Sequence, residues 1–368
     1  MRRFLRKIFL RPVLWATYKF SSRPQKDRIF EALGKLSLNI MEEPGKKGVV
    51  VRADHTSAGF IIFSDQHKGA RNGADDFMQA EGNYLAALEY YNQQGFSLIA
   101  LGDSEELWEN TLSQVKKYNG QTFELEKKFL QRKAFYKVLG NHDLYWGNDP
   151  LASWELKKIY GEEVKIYEGL LLDFMINNAS LKIFCTHGHQ GDAQSDGNWF
   201  SKFFVARIWA PLQAYLRINP NTAAYDTGKK ILHNEIMYEW SSTQQDMVLI
   251  TGHTHQPVFA SLTHIERLYK NLQRAQIDTD AAKVQDLETE IRKREKEFKA
   301  VSVDYQVMQP SYFNSGCCCY VDGDITGIEI TGGWIRLVKW DRENKKQDGT
   351  PVRSVLEEMK LDELQLLL

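Results

Sequence analysis

The chain has 368 residues, a formal net charge of −1 and 43% hydrophobic residues. This composition excludes a disordered chain, and the length suits one large domain with insertions or two small domains. The near-neutral charge provides no general electrostatic basis for binding nucleic acid. No apolar run reaches the roughly 18–20 residues that a membrane-spanning helix needs. We therefore expect a globular protein with a sizeable core.

The N-terminus is basic and interspersed with apolar residues. Residues 1–11 include Arg2, Arg3, Arg6, Lys7 and Arg11 and no acidic residue. Residues 1–45 are therefore interpreted as a basic helical arm that could lie on an anionic bilayer. The alternative is a helix docked on the domain with a solvated basic face. We expect a cytoplasmic protein, and peripheral contact with the membrane is left open.

Three of the four cysteines are consecutive, at positions 317–319. Neighbouring side chains of a strand point to opposite faces, so the three thiols cannot all bind one metal ion. Adjacent cysteines also rarely form a disulfide. The pattern predicts a reduced, partly buried strand, which fits a cytosolic redox environment.

Five short apolar runs have the pattern of buried strands, and each leads directly into a polar cluster. The runs are residues 59–64, 97–101, 135–139, 181–186 and 247–251. Helical patterns lie between them, for example at residues 75–93 and 124–132. Alternating strands and helices predict an α/β domain with its ligands on the loops at the strand ends.

Two segments interrupt this alternation within a domain predicted at residues 46–345. Residues 192–242 are rich in aromatic side chains and predict a helical aromatic cap, packed on the domain or facing a substrate. Residues 262–302 are highly charged with heptad-like apolar spacing, which predicts a charged helical hairpin. The hairpin is either a solvated decoration or an arm that binds a partner or a second copy. From Tyr312 onward the pattern predicts a closing β meander, followed by a C-terminal tail at 346–368.

The polar clusters contain side chains suited to binding metal ions. Asp65 and His67 are two residues apart at a strand end, so both point to the same side, and His253 and His255 share this spacing. The other clusters contribute a carboxylate able to bridge two ions, an amide and an imidazole: Asp103, Asn141 and His187. Mixed oxygen and nitrogen ligands suit manganese, iron, zinc, cobalt or nickel better than calcium. Two such ions attract phosphate and acidify a bridging water, whose hydroxide can attack phosphorus.

The leaving oxygen then needs a proton or a positive neighbour. His142 directly follows Asn141 and could serve as the acid. Glu106, three residues after Asp103, is the candidate carboxylate that keeps His142 charged and oriented.

The ordered motifs resemble the calcineurin-like metallophosphoesterase superfamily. They are Asp65-x-His67, Gly102-Asp103-x-x-Glu106, Gly140-Asn141-His142-Asp143, His187-Gly188-His189 and Gly252-His253-x-His255. The resemblance covers about residues 58–340 and implies a four-layer α/β/β/α sandwich around two mixed sheets. It also implies two divalent ions, with manganese as our first expectation. One ion is expected on Asp65, His67 and His255, the other on Asn141, His187 and His253, with Asp103 between them.

Three further residues are candidates for binding substrate. Lys68 and Arg71 follow the first motif and could bind the substrate phosphate. The alternative for both is a solvated loop. The resemblance favours His187 over His189 as the metal ligand, which leaves His189 near the substrate or packed beside the site.

A narrower resemblance concerns the UDP-2,3-diacylglucosamine diphosphatase branch. The aromatic insertion, the Gly252-His253-Thr254-His255 motif and Tyr312-Phe313-Asn314-Ser315-Gly316 carry it. It implies a nucleotide-lipid diphosphate substrate at the membrane surface. That branch typically has Arg where this chain has His142, so other phosphate monoesters or diesters stay open as substrates.

The sequence thus predicts a dinuclear metal-dependent phosphoesterase that acts on a small phosphate mono- or diester. The alternatives are the nucleotide-lipid diphosphatase, a nuclease and a non-catalytic metal-binding scaffold. Near-zero net charge disfavours the nuclease. The complete ligand set disfavours the scaffold.

Overall fold

The computed structural model of the protein describes residues 24–72, 75–191, 227–294, 308–345 and 349–368. The strands in these residues are β1 Gly48–Ala53, β2 Gly59–Phe63, β3 Ser97–Leu101, β4 Phe135–Val138, β5 Ile166–Tyr167, β6 Gly169–Ile176, β7 Ala179–Thr186, β8 Met247–Thr251, β9 Val258–Phe259, β10 Leu262–Thr263, β11 Tyr312–Asn314, β12 Ile325–Thr331, β13 Trp334–Lys345 and β14 Pro351–Lys360. The α-helices are α1 Lys26–Glu42, α2 Glu81–Gln93, α3 Leu112–Tyr118, α4 Gly120–Gln131, α5 Tyr145–Asn148, α6 Ala152–Tyr160, α7 Thr227–Ser241, α8 His264–Ile277, α9 Ala281–Arg294 and α10 Leu361–Leu366.

The strands form two seven-stranded sheets, both mixed. The first has the spatial order β1-β6-β7-β8-β11-β9-β10, and the second has the order β14-β13-β12-β2-β3-β4-β5. In the second sheet β2, β3, β4 and β5 run parallel to one another. β12 is antiparallel to β2, β13 is antiparallel to β12, and β14 is antiparallel to β13. The predicted α/β class and the pair of mixed sheets are therefore confirmed.

The main hydrophobic core lies between the two sheets. Ile62 and Ile99 enter it from the second sheet, and Leu172 and Ile183 enter it from the first. All four side chains are fully buried. β8 is buried at every residue because both of its faces are covered, and strands of this kind are apolar along most of their length.

Helices cover the outer face of each sheet. Tyr84 and Leu88 of α2 pack with Phe63 of the second sheet in one core. Leu33 of α1 and Met237 of α7 pack in another core on the first sheet. This order of helices, sheet, sheet and helices is what a four-layer sandwich requires.

The five predicted strands are present as β2, β3, β4, β7 and β8. The predicted helical hairpin is present as α8 and α9 in the part of residues 262–302 that the structure describes. Residues 192–226, which hold most of the predicted aromatic cap, lie outside the described residues. Among the described helices, none is both long and apolar enough to cross a bilayer.

The described part of the predicted N-terminal helical arm at 1–45 is a helix docked on the domain, which is the alternative that the sequence left open. α1 lies on the first sheet, where Ile29, Leu33 and Ile40 are fully buried. An amphipathic helix with such a stripe is stabilised by burial on the domain. Residues 1–23, with their basic side chains, lie outside the described residues.

The described residues of the predicted C-terminal tail at 346–368 instead form part of the domain. β14 pairs with β13 at the edge of the second sheet, and Leu361 and Leu364 of α10 are buried in the main core. The predicted closing meander is correct only for β12 and β13, because β11 lies in the other sheet, parallel to β8. Residues 317–319 lie between β11 and β12 and are not a strand, although their thiols are free and buried as expected.

Candidate metal centre

The candidate ligands lie where strands of both sheets end. Asp65, Asp103 and Asn141 follow β2, β3 and β4 of one sheet, and His187 and His253 follow β7 and β8 of the other. Each of these side chains is buried. Since the two sheets face each other, their strand ends bring polar side chains from five separate segments into one cluster.

The backbone at this cluster is unusual. Asp65, His67, Asp103, His253 and His255 all have positive φ angles of 54°, 50°, 50°, 68° and 55°. Left-handed backbone at residues other than glycine costs roughly 1–3 kcal/mol each and concentrates at functional sites. Backbone bonds hold two of the turns, since the Asp65 and His67 amides donate to the Gly102 and Asp103 carbonyls at 3.1 and 2.9 Å.

Asp65, His67 and His255 form one half of the cluster. Nε2 of His255 lies 3.2 Å from Oδ1 of Asp65 and 3.3 Å from Nε2 of His67. Nδ1 of His67 has its own partner, Oε2 of Glu106, at 2.9 Å. Two neutral imidazoles with Nδ1–H would direct both Nε2 lone pairs and a carboxylate oxygen at the same point. A cation at that point removes the repulsion, so this half fits a divalent metal ion.

The other half is built around His187. Its Nδ1 donates to the Leu101 carbonyl at 2.9 Å, which leaves the Nε2 lone pair for a metal ion. Nε2 lies 3.2 Å from Oδ2 of Asp103 and 3.2 Å from Oδ1 of Asn141. Ligand atoms of Asp103, His187 and His253 lie within 4.8 Å of one another. This half also fits a metal ion, because acceptor atoms converge there.

Asp103 lies between the halves. Its Oδ2 is 3.2 Å from His187 Nε2 and 3.7 Å from His67 Nε2. Burial raises the pKa of Asp103, but His187 and His142 outweigh it and hold the pKa well below its usual value. Burial lowers the pKa of His253 well below its usual value, and His233 and His187 add to this effect. An ionised carboxylate between the halves and a neutral imidazole on one of them are the protonation states that metal ligands need.

His142 lies beside the ligands with its Nδ1 2.7 Å from Oε2 of Glu106. Its backbone amide donates to Oδ1 of Asp103 at 2.7 Å, and its ring stacks on Trp108 with centroids 4.3 Å apart. Burial lowers its pKa, but the Glu106 and Asp103 carboxylates outweigh burial and raise the pKa to about 10. Burial raises the pKa of Glu106, whereas His142 and His67 lower it to about 2. The pair is therefore a charged imidazolium held by a carboxylate.

The structure does not place Lys68 where it could bind a phosphate, which corrects that prediction. The side chain is fully buried, and its Nζ lies 2.7 Å from Glu126 and 3.1 Å from Glu105. Arg71 is part-exposed and paired with Glu81 at 2.5 Å. His189 is buried with its ring 5.4 Å from the His187 ring, so it lies beside the centre.

Three residues that sequence reasoning missed also contact the centre. Trp108 stacks on His142, His233 of α7 has its ring 5.1 Å from the His253 ring, and Cys319 contacts His255. Trp108 could have been found, because it follows Glu106 by two residues. His233 and Cys319 carry no signal in the sequence, since only the packing of α7 and of the β11–β12 loop brings them to the site.

The calcineurin-like phosphoesterase family model matches residues 58–257 of the chain. This span is more than half of the 368 residues and contains all seven candidate ligands. None of the curated proteins compared with the chain matches it.

Several solved structures are similar at low identity. A Streptococcus pneumoniae TIGR4 protein described as a predicted phosphoesterase has 13% identity, with 81% of this chain and 97% of that chain covered and a TM-score of 0.26. Vacuolar Protein Sorting 29 from Cryptosporidium parvum has 12% identity, coverage of 83% and 99%, and a TM-score of 0.30. A dimetal phosphatase from Danio rerio has 8% identity, coverage of 77% and 95%, and a TM-score of 0.32. The family assignment depends on the family match and not on these similarities.

Proposed function

The chain belongs to the calcineurin-like phosphoesterase family and is a metal-dependent phosphoric ester hydrolase, and we propose that it cleaves a phosphate mono- or diester of a small molecule. One observation carries this proposal. A charged imidazole, His142, lies beside the candidate metal ligands and is held by Glu106 at 2.7 Å. Ligands alone would suit a binding protein, whereas a positioned acid next to them suits catalysis.

Seven residues would hold the two ions. We propose that Asp65, His67 and His255 bind one, that Asn141, His187 and His253 bind the other, and that Asp103 bridges them. Manganese is our first choice, with iron, zinc, cobalt and nickel as alternatives. When bound, such a pair supplies Lewis-acid activation of water and positive charge against the phosphate.

The chain's own residues do the remaining work. Glu106 keeps His142 protonated and fixes its ring through Nδ1, so the Nε2 proton is available to the leaving oxygen. Trp108 stacks on the same ring and limits its rotation. His189, beside His187, is a candidate contact for the phosphate. Arg71 is a weaker one, because Glu81 already pairs with it.

The test is hydrolysis by the purified protein with added Mn²⁺. The substrates are p-nitrophenyl phosphate, bis-p-nitrophenyl phosphate, a UDP-sugar-lipid diphosphate and single-stranded DNA. We expect turnover of one or both nitrophenyl esters that stops when a chelator is added. Turnover of the lipid diphosphate alone, or of DNA alone, would contradict the proposed substrate class. It would instead support the nucleotide-lipid diphosphatase or the nuclease.

A further inference from the structure

The loop between β11 and β12 contacts two of the proposed metal ligands. The amide of Cys318 donates to the Ser64 and Asp65 carbonyls at 3.1 and 3.2 Å. The Tyr320 hydroxyl donates to the His255 carbonyl at 3.3 Å. Asp65 and His255 are proposed ligands of the same ion, so this loop connects both of them to one short piece of chain.

Cys319 extends this contact to the ring of His255. Its Sγ lies 3.7 Å from Nδ1 of His255, while Nε2 of the same ring faces Asp65 and His67. If Nε2 binds the ion, Nδ1 carries the ring proton and donates it to the sulfur. Metal-binding histidines usually make such a second bond, which fixes the tautomer and the ring orientation.

Cys317 also makes a side-chain hydrogen bond with His255, and Cys319 is hydrogen-bonded to Cys317 in turn, so two linked thiols lie at this ring. The backbone of His255 is in the left-handed region at φ 55°. Its side chain is 16% exposed, whereas the side chain of His67, in the same half of the cluster, is 6% exposed. A ring in this position needs an anchor on the side away from the ion. Cys319 is buried at 7% exposure and can provide that anchor.

We propose that Cys319 is a positioning residue for the metal ligand His255, acting through a hydrogen bond from Nδ1 to its thiol. The inference rests on the ligand set proposed above. It goes beyond that set, because none of the five motifs contains this cysteine.

Cys318 is a matched control from the neighbouring position. It is also buried, but its thiol donates to the Thr326 carbonyl at 3.9 Å and packs with Phe63 in a core away from the ligands. Replacing it by alanine therefore removes a buried thiol from the same loop and leaves the His255 contact intact.

The experiment measures metal content after dialysis of the Mn²⁺-loaded protein against increasing chelator. Cys319→Ala should lose the ion proposed to bind Asp65, His67 and His255 at about a tenfold lower chelator concentration than the wild type. Removing such a hydrogen-bond partner typically costs 10–100-fold in metal affinity. Cys319→Ser should keep most of the wild-type affinity, since a hydroxyl can also accept from Nδ1. Cys318→Ala should retain metal like the wild type, even where its thermal midpoint falls.

Results from either of two measurements would overturn the inference. In the dialysis, either equal retention in Cys319→Ala and the wild type or equal loss in Cys318→Ala and Cys319→Ala would do so. The other measurement uses Co²⁺-loaded protein: an intense near-ultraviolet sulfur-to-cobalt band, lost in Cys319→Ser, would make the sulfur a direct ligand. A wild type that binds no metal ions would refute the proposed function itself, which separates the two failures.

Discussion

Oxygen Oε2 of Glu106 holds two imidazoles that have different proposed roles. It lies 2.9 Å from Nδ1 of His67, a proposed ligand, and 2.7 Å from Nδ1 of His142, the proposed acid. The two rings meet edge to face with centroids 4.7 Å apart. A change at Glu106 must therefore affect metal binding and proton donation together. The spacing of the motifs predicts Glu106 as the partner of His142, but the bond to His67 depends on the fold of both loops.

Replacing Glu106 by Gln should move the alkaline limit of activity to lower pH. Glu106 is a main cause of the raised His142 pKa of about 10, and the protonated acid is lost as pH rises through the folded-state pKa. Without the carboxylate charge that pKa falls, so the acid is lost at lower pH. The measurement is kcat against pH for both proteins at saturating Mn²⁺. An unchanged alkaline limit in Glu106→Gln would contradict this role.

Replacing His142 by Ala should affect substrates according to their leaving group. An alkyl phosphate needs a proton on the departing oxygen, so its kcat should fall by about 10²–10⁴-fold. p-Nitrophenolate leaves without protonation, so its ester should be affected far less. Metal content is the control and should equal that of the wild type. Equal losses on both esters would argue that His142 does not act as the acid.

At the scale of elements, a buried ionic network connects the loops that carry the ligands. Nζ of Lys137 on β4 lies 2.9 Å from Glu105, and Lys68 joins Glu105 to Glu126 of α4. The sequence predicted strand β4 and helix α4 but assigned Lys68 to the substrate. A lysine next to a metal motif has the pattern of an exposed residue, and only the packing of α4 against the loop buries it.

Replacing Lys137 by Met should lower the free energy of unfolding by about 3–5 kcal/mol, because it removes one partner of a buried charge pair. Burial raises the pKa of Glu105, but Lys137 and Lys68 outweigh it and lower the pKa to about 2. A depressed carboxylate pKa contributes stability above the unfolded value near 4.5. That contribution is lost as pH falls towards 2, so the Lys137→Met deficit should shrink over this window.

The measurement is chemical denaturation of both proteins from pH 7 down to pH 3. Lys127→Met is the matched control, because its partner Glu124 lies 3.7 Å away at the surface. Such pairs are worth about 0–1 kcal/mol. A deficit in Lys137→Met no larger than in Lys127→Met would show that the buried network is not stabilising.

At the scale of the whole molecule, the site depends on two sheets whose strand ends face each other. The five apolar runs and their order along the chain predict the strands and the seven candidate ligands that cluster together. They do not predict which sheet each strand joins, because that depends on pairing between distant segments. For this reason the sequence does not predict that β11 pairs with β8, or that β14 pairs with β13 at the edge of the second sheet. The same limit applies to residues 346–368, whose sequence has the pattern of a tail although β14 pairs with β13.

The central claim is that Asp103 joins two metal sites on this fold. Its most direct test is the metal content of purified Asp103→Ala compared with the wild type, with hydrolysis measured on the same samples. Asp173→Ala, on β6 and paired with Ser180, is the control for losing a carboxylate elsewhere. We predict two ions per chain in the wild type and in Asp173→Ala, and a loss of metal and of hydrolysis in a folded Asp103→Ala. A folded Asp103→Ala protein that keeps both ions and full activity would contradict the account.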